Sequence, residues 1–175
     1  KHGDNIVDTA TDIVKHSDDI ADAATDIVKH VDPPKAKPDY DSILQDFADK
    51  ADDIINNDPI KSTKSSTVQG TYKHSELETM INDLGDSHLQ SEVSYAKGSS
   101  LSTPDGKVPR GTKDSVRLDA VEFDDKGLIT NIWDYKTGNA KFPDSRKQKI
   151  LDTIDDNLLA PGFSIDNIHM LTPTK

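Results

Sequence analysis

Residues 116–141 contain the strongest constraint on the fold, a predicted β-hairpin. Apolar and polar residues alternate along 116–123 (VRLDAVEF) and again along 128–136 (LITNIWDYK), and the acidic turn 124–127 (DDKG) separates the two runs. Alternation of this kind is typical of half-buried strands, and a short turn that contains Asp and Gly is typical of a hairpin. We therefore predict two neighbouring antiparallel strands.

The polar residues of this hairpin suggest a chemical site. Because side chains alternate between the two faces of a strand, we expect Asp119 on the face of Arg117 and Val121, and Asp134 on the face of Lys136. Two carboxylates and a lysine from paired strands can then converge, as needed to hold a divalent metal ion against a phosphodiester. The alternative is that these residues are solvent-facing strand positions with a weak surface ion pair.

The composition of the chain limits the classes of function. The 175 residues fit one domain with a smaller appendage. The absence of cysteine excludes disulfides, thiolate metal sites and thiol catalysis. The net charge of −11 argues against generic nucleic-acid binding, so local basic clusters would have to compensate. No apolar run approaches transmembrane length, and we therefore expect no stable membrane insertion.

The chain divides into two regions with different patterns. Residues 4–30 repeat a 14-residue acidic sequence with isoleucine at every seventh position, as in a coiled-coil seam. Prolines follow, and helical spacing resumes over 39–57. We predict a helical N-terminal segment over 1–60, a Ser/Thr-rich linker over 61–72 and a second domain over 73–175.

The second region predicts an α/β (α+β) fold. Helical and strand patterns follow in the order helix, strand, strand, strand, helix, strand, over 74–84, 89–96, the two hairpin runs, 144–157 and 163–171.

Basic residues near the predicted hairpin are candidates for binding a phosphate backbone. They lie in the long loop 97–115 and around the start of the helix over 144–157. The candidates are Arg110, Lys113, Lys141, Arg146, Lys147 and Lys149. A solvated flexible loop is the alternative interpretation of 97–115.

The element order, with Asp119 in the second strand and Asp134-x-Lys136 in the third, resembles the PD-(D/E)XK nuclease superfamily. More narrowly, 73–175 resembles the C-terminal nuclease domains of bacterial polymorphic toxins, including contact-dependent growth inhibition toxins of the CdiA type. The segments SVRLD (115–119) and WDYKTGNA (133–140) carry this resemblance. Leucine at 118 stands where the superfamily's name has proline, a departure that many members share.

The resemblance implies a metal-dependent endonuclease. Asp119 would be the central metal ligand, Asp134 the second, and Glu78 the helix glutamate that completes the catalytic and metal site, with Glu76 as the alternative. Lys136 would orient the attacking water or stabilise charge on the phosphate. The expected cofactor is Mg²⁺, with Mn²⁺ or Zn²⁺ as alternatives.

The resemblance also implies a biological role. The chain would form the tip of a secreted, cell-surface exoprotein and would cleave DNA or tRNA in the cytoplasm of a neighbouring bacterium. A cognate immunity protein would neutralise it, and 1–60 would serve to enter the target cell or as a linker. Gln148 stands where some superfamily members place an accessory glutamine. A repair or restriction nuclease and a non-catalytic acidic binding module are the alternatives.

Overall fold

The computed structural model describes residues 37–174. A boundary between two compact units falls between Pro38 and Asp39, and every element below belongs to the second unit, Asp39–Lys175. The predicted repeat over 4–30 lies outside the described residues.

The described residues form a mixed α/β fold in which the predicted order of helix, three strands, helix and strand is preceded by a further helix. The helices and strands are α1 (Tyr40–Asn57), α2 (Ser66–Leu84), β1 (Leu89–Tyr95), β2 (Val116–Phe123), β3 (Ile129–Tyr135), α3 (Asp144–Thr153) and β4 (Ile168–Leu171). Short 3₁₀ turns lie at Lys61–Thr63, Asp156–Leu158 and Ile165–Asn167.

The four strands form one mixed sheet in the order β1-β2-β3-β4. β1 and β3 pair antiparallel with β2, whereas β4 pairs parallel with β3. The hairpin between β2 and β3 is therefore confirmed. Its turn is fixed by the Asp124 carboxylate, which accepts the backbone N–H groups of Lys126 and Leu128, and by Gly127 at φ +78°. The parallel pair requires a crossover, and α3 lies within it.

Helices cover both faces of the sheet. Neighbouring residues on β3 separate the two faces: Ile132 packs in an apolar cluster with Ile150 and Ile154 of the α3 region, whereas Trp133 packs in a cluster with Leu77 of α2. All of these side chains are buried. The apolar burial on both faces fixes the sheet between α3 on one side and α1 with α2 on the other.

Helix α1 is an integral part of this unit. The indole Nε1 of Trp133 donates to the Asp41 carboxylate at 2.8 Å, and the Tyr135 hydroxyl donates to the Ala48 carbonyl at 3.1 Å. A buried ion pair between Asp52 and Lys73 joins α1 to α2. The residues that we assigned to the N-terminal segment thus include a helix that packs directly on the sheet.

The predicted linker 61–72 has regular structure in its described form. It contains the 3₁₀ turn Lys61–Thr63 and the first turns of α2, which begins at Ser66 rather than at His74. The Gln69 side chain donates to the carbonyls of Ser62 and Lys64 and ties the turn to the helix. Serine and threonine are common at helix starts as well as in linkers, so composition alone does not separate the two.

The last two elements are shorter than predicted. α3 ends at Thr153, and β4 begins at Ile168 because the residues before it form a 3₁₀ turn. In that turn the Ser164 side chain accepts the Asp166 backbone N–H, and the Asn167 side chain accepts the Ser164 N–H. This reciprocal capping keeps the segment out of the sheet.

Candidate metal centre

The backbone of β1 departs from regular strand geometry at Glu92. The register pairs Ser91 with Ala120 and Val93 with Leu118, so that Glu92 lies opposite Asp119. Glu92 has φ +54°, in the left-handed region that costs a residue with a side chain about 1–2 kcal/mol. Conformations of this kind persist only where the surroundings enforce them, and they are concentrated at functional sites.

Three side chains meet at this irregularity. His74 of α2, Glu92 and Asp119 each offer one potential ligand atom, and these atoms lie within 4.8 Å of one another. The His74 Nδ1 atom is 3.1 Å from Asp119 Oδ1. Two ligands bound at about 2.0–2.2 Å from one cation stand about 3–4 Å apart, so the cluster could close around a metal ion with small side-chain movements.

Tyr135 fixes the orientation of two members of the cluster. Its backbone N–H donates to Asp119 Oδ2 at 2.6 Å, and its ring lies 5.1 Å from the His74 ring, centroid to centroid. Asp119 is buried, at 6% exposure, so a hydrogen bond to one oxygen holds the carboxylate while the other oxygen faces His74. Support of this kind positions metal ligands in many sites.

Glu92 carries a carboxylate in an unfavourable environment. Burial raises its pKa above the ordinary value of 4.5; Arg117 opposes this rise, and the carboxylates of Asp119 and Glu78 add to it. Glu92 Oε2 is buried and lies 2.9 Å from Arg117 Nε, but among the described residues no donor is aligned to make a hydrogen bond with it. A cation bound by the Glu92 carboxylate would stabilise its charged form.

An open cavity of about 500 Å³ adjoins the cluster. Its wall combines hydroxyl groups, two arginines and the acids of the cluster region. The lining residues are Ser66, Thr67, Gly70, Thr71, His74, Ser75, Glu78, Glu92, Arg110, Arg117 and Thr137. A Cβ at Gly70 would lie 3.0 Å from Thr137 Oγ1, so glycine permits the close approach of α2 to the end of β3. The two arginines and the hydroxyl groups are donors that could bind an anionic group such as a phosphate.

Of the four predicted catalytic residues, Glu78 lines the cavity and Asp119 belongs to the adjoining cluster. Asp134 and Lys136 lie elsewhere. Asp134 is buried, at 2% exposure, and pairs with Lys136, the residue after the end of β3, and with Arg146 of α3, at 3.3 Å from the latter. In the part of the chain that the structure describes, Asp134 is not a member of the three-residue cluster.

The remaining candidates are distributed around these two groups. Glu76 forms an ion pair with Lys61 at 3.2 Å, and Gln148 donates to Asp152 on the exposed side of α3. Lys136 and Lys147 each lie over the Phe142 ring. The other predicted phosphate-binding residues are all exposed, and one of them, Arg110, lines the cavity. The other three are Lys113, Lys141 and Lys149.

Sequence reasoning missed His74 and Glu92. His74 lies one helical turn before Glu78, and this i, i+4 spacing places both on one face of a helix. That signal was present. No sequence signal marks Glu92, because glutamate rarely adopts positive φ. The irregularity also breaks the expected alternation: Val121 packs in the cluster with Ile150, whereas Asp119 contacts His74 on the opposite helix layer.

Comparisons with known proteins return no relative. No protein-family model matches the chain, and neither curated proteins nor solved structures match it. Among the helices that the structure describes, none has the length and apolar character needed to cross a membrane.

Proposed function

We propose that the chain is a metal-dependent endonuclease whose cation is held by His74, Glu92 and Asp119. The observation that carries this proposal is the convergence of these three ligand atoms within 4.8 Å beside an open cavity with two arginines on its wall. A divalent cation next to positive side chains is the combination that phosphodiester hydrolysis needs.

The donor set points to a particular group of metals. Mg²⁺ prefers oxygen ligands alone, whereas a mixed imidazole and carboxylate set suits Zn²⁺ or Mn²⁺. We therefore propose Mn²⁺ or Zn²⁺ in preference to the Mg²⁺ that the sequence pattern indicated. When bound, the metal would polarise a phosphoryl oxygen and lower the pKa of a water molecule.

The residues of the chain supply the remaining parts. Glu78 lines the cavity one turn from His74 and can accept the proton of the attacking water. Arg110 and the hydroxyls of the cavity wall can bind the phosphate backbone. Lys136, Arg146 and Lys147 form a basic group around Asp134 and Phe142, and we assign them to neighbouring phosphates. These basic residues supply local positive charge in a chain whose net charge is −11.

The biological role is a further part of the proposal. The resemblance of the segments SVRLD (115–119) and WDYKTGNA (133–140) to toxin nuclease domains is the basis for proposing a toxin delivered to a neighbouring bacterium, with DNA or tRNA as substrate and an immunity protein as partner. The element order around the four-stranded sheet is compatible with a PD-(D/E)XK core. A repair or restriction nuclease would use the same chemistry without being toxic to the cell that makes it.

Incubation of the purified protein with plasmid DNA and with total tRNA tests the activity. We expect one substrate to be cleaved with Mn²⁺ or Zn²⁺ and neither to be cleaved with EDTA. Asp119→Asn should abolish cleavage, and Asp125→Asn, the same change at an exposed hairpin position, should not. Cleavage that survives EDTA or Asp119→Asn would contradict the proposal.

Expression in a bacterium without an immunity protein separates a toxin from a housekeeping nuclease. We expect the wild-type chain to arrest growth and Asp119→Asn to permit it. Normal growth with full nuclease activity in the lysate would remove the toxin role and leave the enzyme.

A further inference from the structure

We propose that Arg117 exchanges partners when metal binds: it neutralises Glu92 in the metal-free protein and then contacts the substrate phosphate. This inference rests on the proposed metal-dependent activity and assigns Arg117 a role in substrate binding that depends on the metal.

Arg117 occupies the place of a replaceable cation. Its Nε lies 2.9 Å from Glu92 Oε2, but the N–H is not aligned with that oxygen, so the contact is an ion pair without a well-formed hydrogen bond. The Glu92 side chain is 13% exposed and the Arg117 side chain 36% exposed. The carboxylate is therefore fixed inside the cavity wall, while the guanidinium can reach the cavity itself.

A divalent ion would displace this contact on electrostatic grounds. It carries twice the charge of a guanidinium and binds a carboxylate oxygen at about 2.0–2.2 Å. Once the metal holds Glu92, the two cations repel each other, and the guanidinium is driven towards an anion. The planar guanidinium has five N–H donors and binds a phosphate through two parallel hydrogen bonds.

The other arginines near the cavity are less suited to this exchange. Arg146 pairs with Asp134 at 3.3 Å and donates to the backbone carbonyl of Arg117 at 3.1 Å, so its carboxylate partner is not a member of the metal cluster. This second contact also anchors the main chain at 117, so only the side chain needs to move. Arg110 lines the cavity but has no ion pair with a described member of the metal cluster. Arg117 is thus the cavity arginine whose partner the metal would take.

Calorimetric titration with Mn²⁺ of the wild-type chain, Arg117→Gln and Lys126→Gln tests the exchange. Removal of the competing cation should tighten Mn²⁺ binding about three- to tenfold in Arg117→Gln. Lys126→Gln makes the same charge change in the exposed hairpin turn and should leave the affinity within about twofold. Weaker Mn²⁺ binding in Arg117→Gln would show that Arg117 only holds Glu92 in place, and would overturn the exchange.

Titration with inorganic phosphate, with and without Mn²⁺, tests whether Arg117 binds phosphate in the metal-bound protein. Mn²⁺ should strengthen phosphate binding in the wild-type chain, and Arg117→Gln should weaken phosphate binding to the Mn²⁺ form about ten- to hundredfold. Arg117→Lys, which keeps a cation without the bidentate geometry, should give an intermediate affinity, and it is the variant to use if Arg117→Gln does not fold. Phosphate affinity that is unchanged in these variants would overturn the exchange.

The outcomes separate this inference from the nuclease assignment. If the wild-type chain shows the expected Mn²⁺ and phosphate behaviour but cleaves no nucleic acid, the nuclease assignment fails and the exchange stands. If the wild-type chain binds neither Mn²⁺ nor Zn²⁺ in the same titration, both fail.

Discussion

Two features of Glu92 reduce the free energy of unfolding: its positive φ and its buried carboxylate. Substitutions at this position can separate the two effects. Its φ of +54° penalises any residue with a Cβ by about 1–2 kcal/mol, and the greater backbone entropy that glycine loses on folding reduces the difference from glycine to about 1 kcal/mol. Glu92→Ala removes the carboxylate and retains the Cβ, whereas Glu92→Gly removes both. We predict that Glu92→Gly unfolds with a free energy about 1 kcal/mol higher than Glu92→Ala, which is about 3–5 °C in Tm.

The effect of the buried carboxylate should appear as a pH dependence. Burial raises the pKa of Glu92 above 4.5 in the folded protein, against the opposing charge of Arg117. The folded state therefore binds a proton more tightly than the unfolded state. Stability that is present below pH 4.5 is lost as the pH rises through the raised pKa. Glu92→Gln lacks this titration, so the wild-type chain without metal should lose stability relative to Glu92→Gln over that interval.

Urea denaturation of the four proteins, at several pH values and with or without Mn²⁺, measures both effects. When free Mn²⁺ is 100 times Kd, the wild-type chain should gain about 2.7 kcal/mol, and the Glu92 variants should gain much less. A Glu92→Gly variant no more stable than Glu92→Ala would refute the backbone reasoning. A wild-type chain that gains stability relative to Glu92→Gln as the pH rises would refute the charge reasoning.

Two further predictions concern the packing of α1. Lys73→Met should destabilise the fold by about 3–5 kcal/mol in urea denaturation because it leaves Asp52 buried without its cation. The double variant Lys73→Met with Asp52→Leu should be nearly neutral, and equal losses in both variants would show that the charges are not the cause. The fragment 39–175 should unfold cooperatively when followed by circular dichroism. The fragment 61–175 should not, because the loss of α1 exposes the apolar cluster that this helix covers. Cooperative unfolding of 61–175 would support the domain boundary predicted from composition.

Local patterns were sufficient for the secondary structure of the sheet. The alternation over 116–123 and 128–136 specified the hairpin, and the helical spacing over 39–57 specified α1. The packing of α1 was not predictable in the same way. It depends on contacts between residues far apart in the chain, such as Asp41 with Trp133 and the Ala48 carbonyl with Tyr135. No local pattern encodes such pairs.

The candidate site was likewise only partly predictable from local sequence patterns. Asp119 and Glu78 could be selected from their positions in the predicted strand and helix. The prediction that Asp134 meets Asp119 assumed strict alternation through β2 and β3. The irregular backbone of Glu92, opposite Asp119, changes which side chains meet. A glutamate at positive φ is a product of tertiary structure, so this member of the cluster had to come from coordinates.

A Mn²⁺ titration of His74→Ala and Asp134→Asn, each compared with the wild-type chain by calorimetry, tests the metal centre most directly. We predict that His74→Ala loses most of the Mn²⁺ affinity and that Asp134→Asn retains it, because Asp134 pairs with Lys136 and Arg146 instead. The opposite result, loss of binding in Asp134→Asn and full binding in His74→Ala, would contradict the cluster and return the site to the ligands that the sequence pattern indicated.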